Sequence, residues 1–179
     1  MIGILYQVRK FHSADALKCI YYSLIYSNLI YGITAWGGTF ASHLDPIIKA
    51  QKRVFRTLSF AQRTDHSLPL FNNLHLLKFT YIHKFFVSLL AFKCIHHSYI
   101  SDMCTQVAQI HNHNTRQALY DLRQPPSQRN LRRWDITVLS IMPNVWNELP
   151  IELKSINSFP RFKSKAKSYY FNVQLNENF

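Results

Sequence analysis

From Leu44 to Leu58 the chain sorts apolar and cationic residues at the period of an α-helix. Leu44, Ile47, Ile48, Phe55 and Leu58 fall on one side. Lys49, Lys52, Arg53 and Arg56, at steps of three, four and seven, fall on the other. A segment divided in this way must bury its apolar side against other elements, and its cationic side must face water or a polyanion. The whole chain shares the bias: 21 Lys and Arg against 9 Asp and Glu give a net charge of +12 with the histidines neutral. Nucleic acid or an acidic membrane surface is the partner such an excess implies.

Other segments carry helical signals of their own. Ser13 can cap a helix on which Leu17, Ile20, Tyr21, Leu24 and Ile25 recur at steps of three and four, and Gly32, Gly37 and Gly38 punctuate its end. Ser42 is the next capping candidate, with Pro46 tolerated in a first turn. The apolar block Phe79 to Ile95 is interrupted by His83, Lys84 and Lys93, as in a core helix, and over Tyr81 to Ile95 the apolar residues surround the axis, which predicts a helix buried on most sides. Residues 101–130 are polar, with Pro125-Pro126 as a rigid spacer, and mark the boundary between a helical region over 1–100 and a C-terminal segment over 131–179. In that segment the β-branched content of Ile136 to Ile141 predicts a short strand stopped by Pro143. Ser158 and Pro160 then open a last helix, with Phe159, Phe162, Ala166 and Tyr169 as its docking stripe. Arg161, Lys163, Lys165 and Lys167 flank that stripe as a second basic patch.

The expected fold is therefore mainly α: an irregular helical bundle with a short C-terminal β element and a terminal docking helix. With 47% apolar residues and only 4 Gly, collagen-like, low-complexity and turn-dense all-β chains are excluded. At 179 residues, one domain or a domain with an appended segment fits, and a multi-domain polymerase does not.

Several chemistries are weakly supported. The uncharged run Cys19 to Ser42 is long enough to test as a membrane span, but Tyr21, Tyr22, Ser23, Tyr26, Ser27, Asn28, Tyr31 and Thr34 would carry too many polar groups into hydrocarbon. The N-terminus lacks the pattern of a signal peptide, so nucleus or cytoplasm is expected rather than secretion. Cys19, Cys94 and Cys104 suggest no disulfide framework. His96, His97, His111 and His113 near Cys94 and Cys104 lack the paired short spacing of a structural zinc site, and no metal site is expected. Trp36, Trp134 and Trp146 are expected in a core rather than stacked on bases.

Taken in order, the segments resemble a known family. Ile2-Gly3-Ile4-Leu5-Tyr6, Tyr21-Tyr22-Ser23-Leu24-Ile25-Tyr26, Tyr31-Gly32 and Ala35-Trp36-Gly37 resemble the stretch after the catalytic palm in reverse transcriptases of non-LTR retrotransposons of the jockey type. Gln51-Lys52-Arg53 with Arg56 looks like the family's next helix. His111, Asn114-Thr115-Arg116, Trp146-Asn147-Glu148-Leu149-Pro150 and Phe162-Lys163-Ser164-Lys165 look like its C-terminal segment. Met142-Pro143 stands where the family has a Gly-Pro, and a turn there that needed positive φ would be strained.

The resemblance implies the thumb and tail of an RNA-directed DNA polymerase. Its partners would be an RNA/DNA template-primer duplex and an upstream polymerase domain. Polymerisation needs clustered carboxylates to hold two Mg²⁺ ions, and that cofactor is expected only in the palm. Here Asp15, Asp45, Asp65, Asp102, Asp121 and Asp135 are isolated, so no catalytic residue is assigned and the chain alone is not expected to polymerise. Lys49, Lys52, Arg53 and Arg56 would be phosphate contacts, holding register without reading sequence. Two alternatives stand beside this: a decayed element-derived chain with no retained activity, which would leave Leu17, Ile20 and Leu24 uncovered, and peripheral binding to acidic membranes through the basic helix.

Overall fold

A computed structural model describes residues 2–62, 64–96, 120–124 and 137–176. In chain order the elements are α1 (Ile2–Val8), α2 (Ala14–Ile20), a π-helical segment (Tyr21–Tyr26), α3 (Ser27–Ile30), α4 (Ile33–Trp36), α5 (Ala41–Leu58), α6 (Ser67–Asn73), α7 (Phe79–His96), α8 (Val138–Asn147), α9 (Ile151–Lys154) and α10 (Phe159–Asn176). The described residues are mainly helical and contain no sheet. They fall into two compact units, one drawn from Met1–Ile33, Phe40–Ile82 and Phe171–Phe179, the other from Thr34–Thr39 and His83–Tyr170.

The first unit is built on α5. Its Val54, Phe55 and Leu58 are buried with Leu5 of α1, Leu17 of α2, Tyr21, Phe71 of α6 and Leu76. Phe55 is the centre, edge-on to Phe71 at 4.3 Å between ring centroids and tilted against Tyr21 at 5.4 Å. Burial also pushes the Tyr21 phenol up in pKa, and that of Tyr26 up to about 12.

Local chemistry accounts for the helices around it. Ser13 caps α2, its side chain accepting from the Ala16 N–H at 3.4 Å. Through the wide turns of Tyr21–Tyr26 and into α3, Ser23 Oγ donates to the Ile20 carbonyl at 3.2 Å and Asn28 Nδ2 donates to that of Leu24 at 2.6 Å, so side chains share the helical acceptors. Gly32, at φ 60°, then ends the run in the left-handed region that glycine enters freely. Leu17, expected to lie uncovered in a decayed chain, is fully buried and Ile20 is half-buried; Leu24 is exposed.

Two buried glutamines replace an ordinary cap at the start of α7. Gln51 Oε1 accepts from the Phe79 N–H at 2.8 Å while its Nε2 donates to the Leu77 carbonyl at 3.2 Å. Gln174 Oε1 accepts from the Lys78 N–H at 2.8 Å, and its Nε2 donates to the Leu76 carbonyl at 3.1 Å. Two backbone donors at the helix start, of Lys78 and Phe79, are thereby satisfied by α5 and by the end of α10.

In the second unit Phe92 of α7, Trp146 of α8 and Phe162 of α10 form an aromatic core. Phe92 stacks on Phe162 at 4.6 Å, and Trp146 lies 5.7 Å from the same ring. Trp146 and its neighbour pin residues 120–124. The indole Nε1 donates to the Tyr120 carbonyl at 2.8 Å, and the Asn147 side chain accepts from the Leu122 N–H at 2.9 Å and donates to the Leu122 carbonyl at 3.0 Å. The buried Lys154 ammonium lies between Asp121 Oδ1, 2.8 Å away, and the Asn147 carbonyl, 2.9 Å away.

The structure corrects the expected β element. Thr137 is extended, but Val138 to Asn147 is α8, and Pro143 lies buried inside it instead of ending a strand. Met142, Val145 and Trp146 are buried at steps of three and four, so packing of a helical stripe overrides the β-branched propensity. The same geometry answers the Met142-Pro143 question: Met142 has helical backbone and needs no positive φ.

Smaller differences follow from packing too. Ser42 lies in the first turn of α5 rather than capping it, because the helix already starts at Ala41 after an extended Phe40, and Pro46 falls inside it. On α10 the buried stripe is Phe162, Ala166 and Tyr170, with Tyr169 only half-buried, since steps of four keep one face inward. The core helix α7 is buried on most sides, as expected. Trp146 is in the core, Trp36 is half-buried and Trp134 lies outside the described residues. Of the expected polar stretch 101–130, only residues 120–124 are described.

Candidate nucleic-acid interface

The cationic residues of α5 occupy the side its core residues leave free. At about 100° per residue, Lys49, Lys52, Arg53 and Arg56 lie within an arc of about 100°. Lys49 and Arg53 are exposed, while Lys52 and Arg56 are half-buried along their stems. Asp45 shares the face one turn earlier and pairs with Lys49 at 2.6 Å, both side chains being more than half exposed. Such a surface pair is weak and gives way readily to a stronger anion.

Further along the helix, tertiary packing adds what the α5 sequence does not contain. Arg53 and Arg56 line a cleft of about 760 Å³ together with Gly3, Tyr6 and Arg9 of the N-terminal segment and Phe60 beyond the end of α5. Three guanidiniums and two aromatic rings thus share one concavity. The Arg9 guanidinium lies over the Phe60 ring at 5.0 Å and over the Tyr6 ring at 5.7 Å. Its Nη2 donates to the Phe60 carbonyl at 3.2 Å. Arg56 Nε donates to the Asp65 carbonyl at 2.9 Å, and the Asp65 carboxylate accepts from the Gln62 N–H at 2.7 Å, which fixes the turn below the cleft.

Lys49 and Lys52 stand along the same face outside the cleft lining. Arg9 is the residue that sequence reasoning missed. Its one local signal is the step of three from Tyr6, which places an aromatic ring and a cation on one side of a helical turn.

The second basic patch is divided by its helix. Arg161 and Lys165 lie on one flank of the buried α10 stripe and Lys163 and Lys167 on the other, all four exposed. Arg161 and Lys165 border a cleft of about 580 Å³ with Glu152, whose carboxylate offsets part of their charge.

Among the described residues no three His, Cys, Asp or Glu side chains converge as a metal site requires. Cys94 is buried and the His96 ring is tilted against that of Phe92 at 4.2 Å; His97, Cys104, His111 and His113 lie outside the described residues, as do Asn114, Thr115 and Arg116. No helix among the described residues is long and apolar enough to cross a membrane. No protein-family model, no curated protein and no solved structure matches the chain.

Proposed function

We propose that this chain grips nucleic acid through its phosphate backbone, as the thumb-like part of a non-LTR retrotransposon reverse transcriptase whose palm supplies the catalysis. The observation that carries the reading is the single cationic surface made by Lys49, Lys52, Arg53 and Arg56 and extended by Arg9, on a chain of net charge +12. Guanidiniums bind phosphate oxygens bidentately, and lysines act as point charges. Neither reads base sequence from such a position, so the grip is independent of sequence and sets the register of a template-primer duplex.

The chemistry assigned to the chain is positioning. Its aspartates are isolated in sequence, and a two-metal site needs clustered carboxylates to hold two ions about 4 Å apart. The upstream polymerase domain and the duplex are the two partners this role requires.

The test is a titration of a labelled RNA–DNA hybrid against the full chain at about 50 and about 200 mM salt. Neutralising four phosphates predicts a log–log slope of about −3.6, a loss of roughly a hundredfold over that range. Replacing Lys49, Lys52, Arg53 and Arg56 by Ala is expected to abolish most of that slope. Affinity that ignores salt, or that survives the fourfold substitution, overturns the proposal.

A further inference from the structure

We infer that the cleft between Arg9 and Phe60 takes an unpaired nucleotide, a base together with its phosphate, at a single-stranded end of the nucleic acid that α5 holds. The inference rests on the proposed backbone grip and assigns the ligand of its cleft. Phosphates alone would explain Arg9, Arg53 and Arg56. Arg9 covers part of each ring, and phosphates leave the exposed remainder unexplained, because the bases of a duplex are stacked inside it and present no face to Tyr6 or Phe60.

Those rings are 59% and 47% exposed, and both line the same concavity. Scattered exposed aromatics are ordinary on a protein surface. Two in one cleft with three guanidiniums form the combination that recognises single strands, where a base lies on an aromatic face or a guanidinium plane and cations follow the backbone. The cleft volume of about 760 Å³ lies within the range of small-ligand sites, about 300 to 1,000 Å³.

The backbone at Phe60 fixes where that ring leaves the chain. Phe60 has φ 56°, a left-handed conformation that closes α5 with the Ala61 N–H donating to the Arg56 carbonyl at 3.0 Å. Glycine or asparagine occupies such a position at little cost, whereas a bulky side chain is strained there. The Phe60 ring lies along the cleft and stays exposed there.

The cleft also has spare capacity. Arg9 spends one N–H on the Phe60 carbonyl and Arg56 one on the Asp65 carbonyl, and each guanidinium has five donors. Among the described lining residues there is no carboxylate to compete with a phosphate. At Gly3 a Cβ would meet nothing within 4 Å, so that wall stands open.

The test compares three labelled ligands on the full chain by fluorescence anisotropy: a blunt RNA–DNA hybrid, the same hybrid with a short single-stranded extension, and adenosine monophosphate. The extension is expected to tighten binding about tenfold, within the range of one base stacked on an aromatic side chain. Tyr6→Leu with Phe60→Leu keeps apolar bulk and removes the π faces, and is expected to bring the ratio of extended to blunt affinity down to about one. Should that variant fail to fold, Gly3→Glu places a carboxylate on the open wall and is expected to lower the same ratio. Equal affinity for blunt and extended hybrids overturns the inference while leaving the backbone grip standing. Tight, saturable binding of adenosine monophosphate with no gain from the extension overturns the strand-end assignment in favour of a free nucleotide. A blunt hybrid that binds without salt dependence overturns the grip itself.

Discussion

The guanidinium of Arg9 stands 5.0 Å from the centroid of the Phe60 ring while its Nη2 donates 3.2 Å to the carbonyl of the same residue. One side chain therefore holds both the ring and the left-handed backbone of Phe60, joining the end of α1 to the end of α5. Arg9→Ala removes a charged hydrogen bond and a cation–π contact and is expected to cost about 1–2 kcal/mol in urea unfolding. Arg9→Lys should recover only part, because an ammonium lacks the planar fork that serves ring and carbonyl together. An unchanged urea midpoint for Arg9→Ala would show the contact to be energetically idle.

Gly3→Ala is expected to stabilise the protein. Gly3 lies in α1, and the added methyl meets no atom within 4 Å. The gain is the helix propensity difference, about 0.5–1 kcal/mol. Thermal melts of the two chains would show it as a higher midpoint for the variant.

Gln51→Leu should be among the costly single changes. Gln51 is 4% exposed, and its amide satisfies both the Phe79 N–H and the Leu77 carbonyl. Leucine fills similar volume yet leaves two inward polar groups without their partner, for about 2–4 kcal/mol. Denaturant unfolding gives the difference directly, and faster hydrogen exchange at the start of α7 would locate it.

His83 makes stability depend on pH. Burial, and then the neighbouring Lys84, lower its pKa below the ordinary 6.5, and its buried Nε2 has no hydrogen-bond partner among the described residues. The folded protein thus refuses a proton that the unfolded chain accepts. Above about pH 6.5 both states hold a neutral ring and this contribution to stability is complete. As pH falls below 6.5 the unfolded state gains protons first, so stability drops until pH passes the lowered folded value. Melting temperatures measured between about pH 7 and about pH 5 should fall less for His83→Phe than for the parent chain. Parallel falls in the two chains would assign the pH dependence to other groups.

What could be read from sequence was what neighbouring residues decide. The two faces of α5, the Ser13 cap, the Gly32 stop, the buried circumference of α7 and the start of α10 near Ser158 all depend on steps of three and four or on cap chemistry within a single turn. Lys49, Lys52, Arg53 and Arg56 were recognisable as one face for the same reason, since helical periodicity places them together before any folding. Tertiary structure decided where that face ends and what stands beside it. Arg9 reaches Phe60 across 51 positions, Gln174 reaches Lys78 across 96, and Trp146 with Asn147 holds residues 120–124. Local periodicity contains none of these pairings, because they depend on which apolar faces share a core. The helix over Val138–Asn147 makes the same point from the other side: its β-branched residues favour a strand locally, and burying Met142, Val145 and Trp146 as one stripe outweighs that preference. The sequence alone was enough to make this a basic, helical protein. Only the folded chain brings a third arginine and two aromatic rings to the basic helix and so turns a charged face into a cleft.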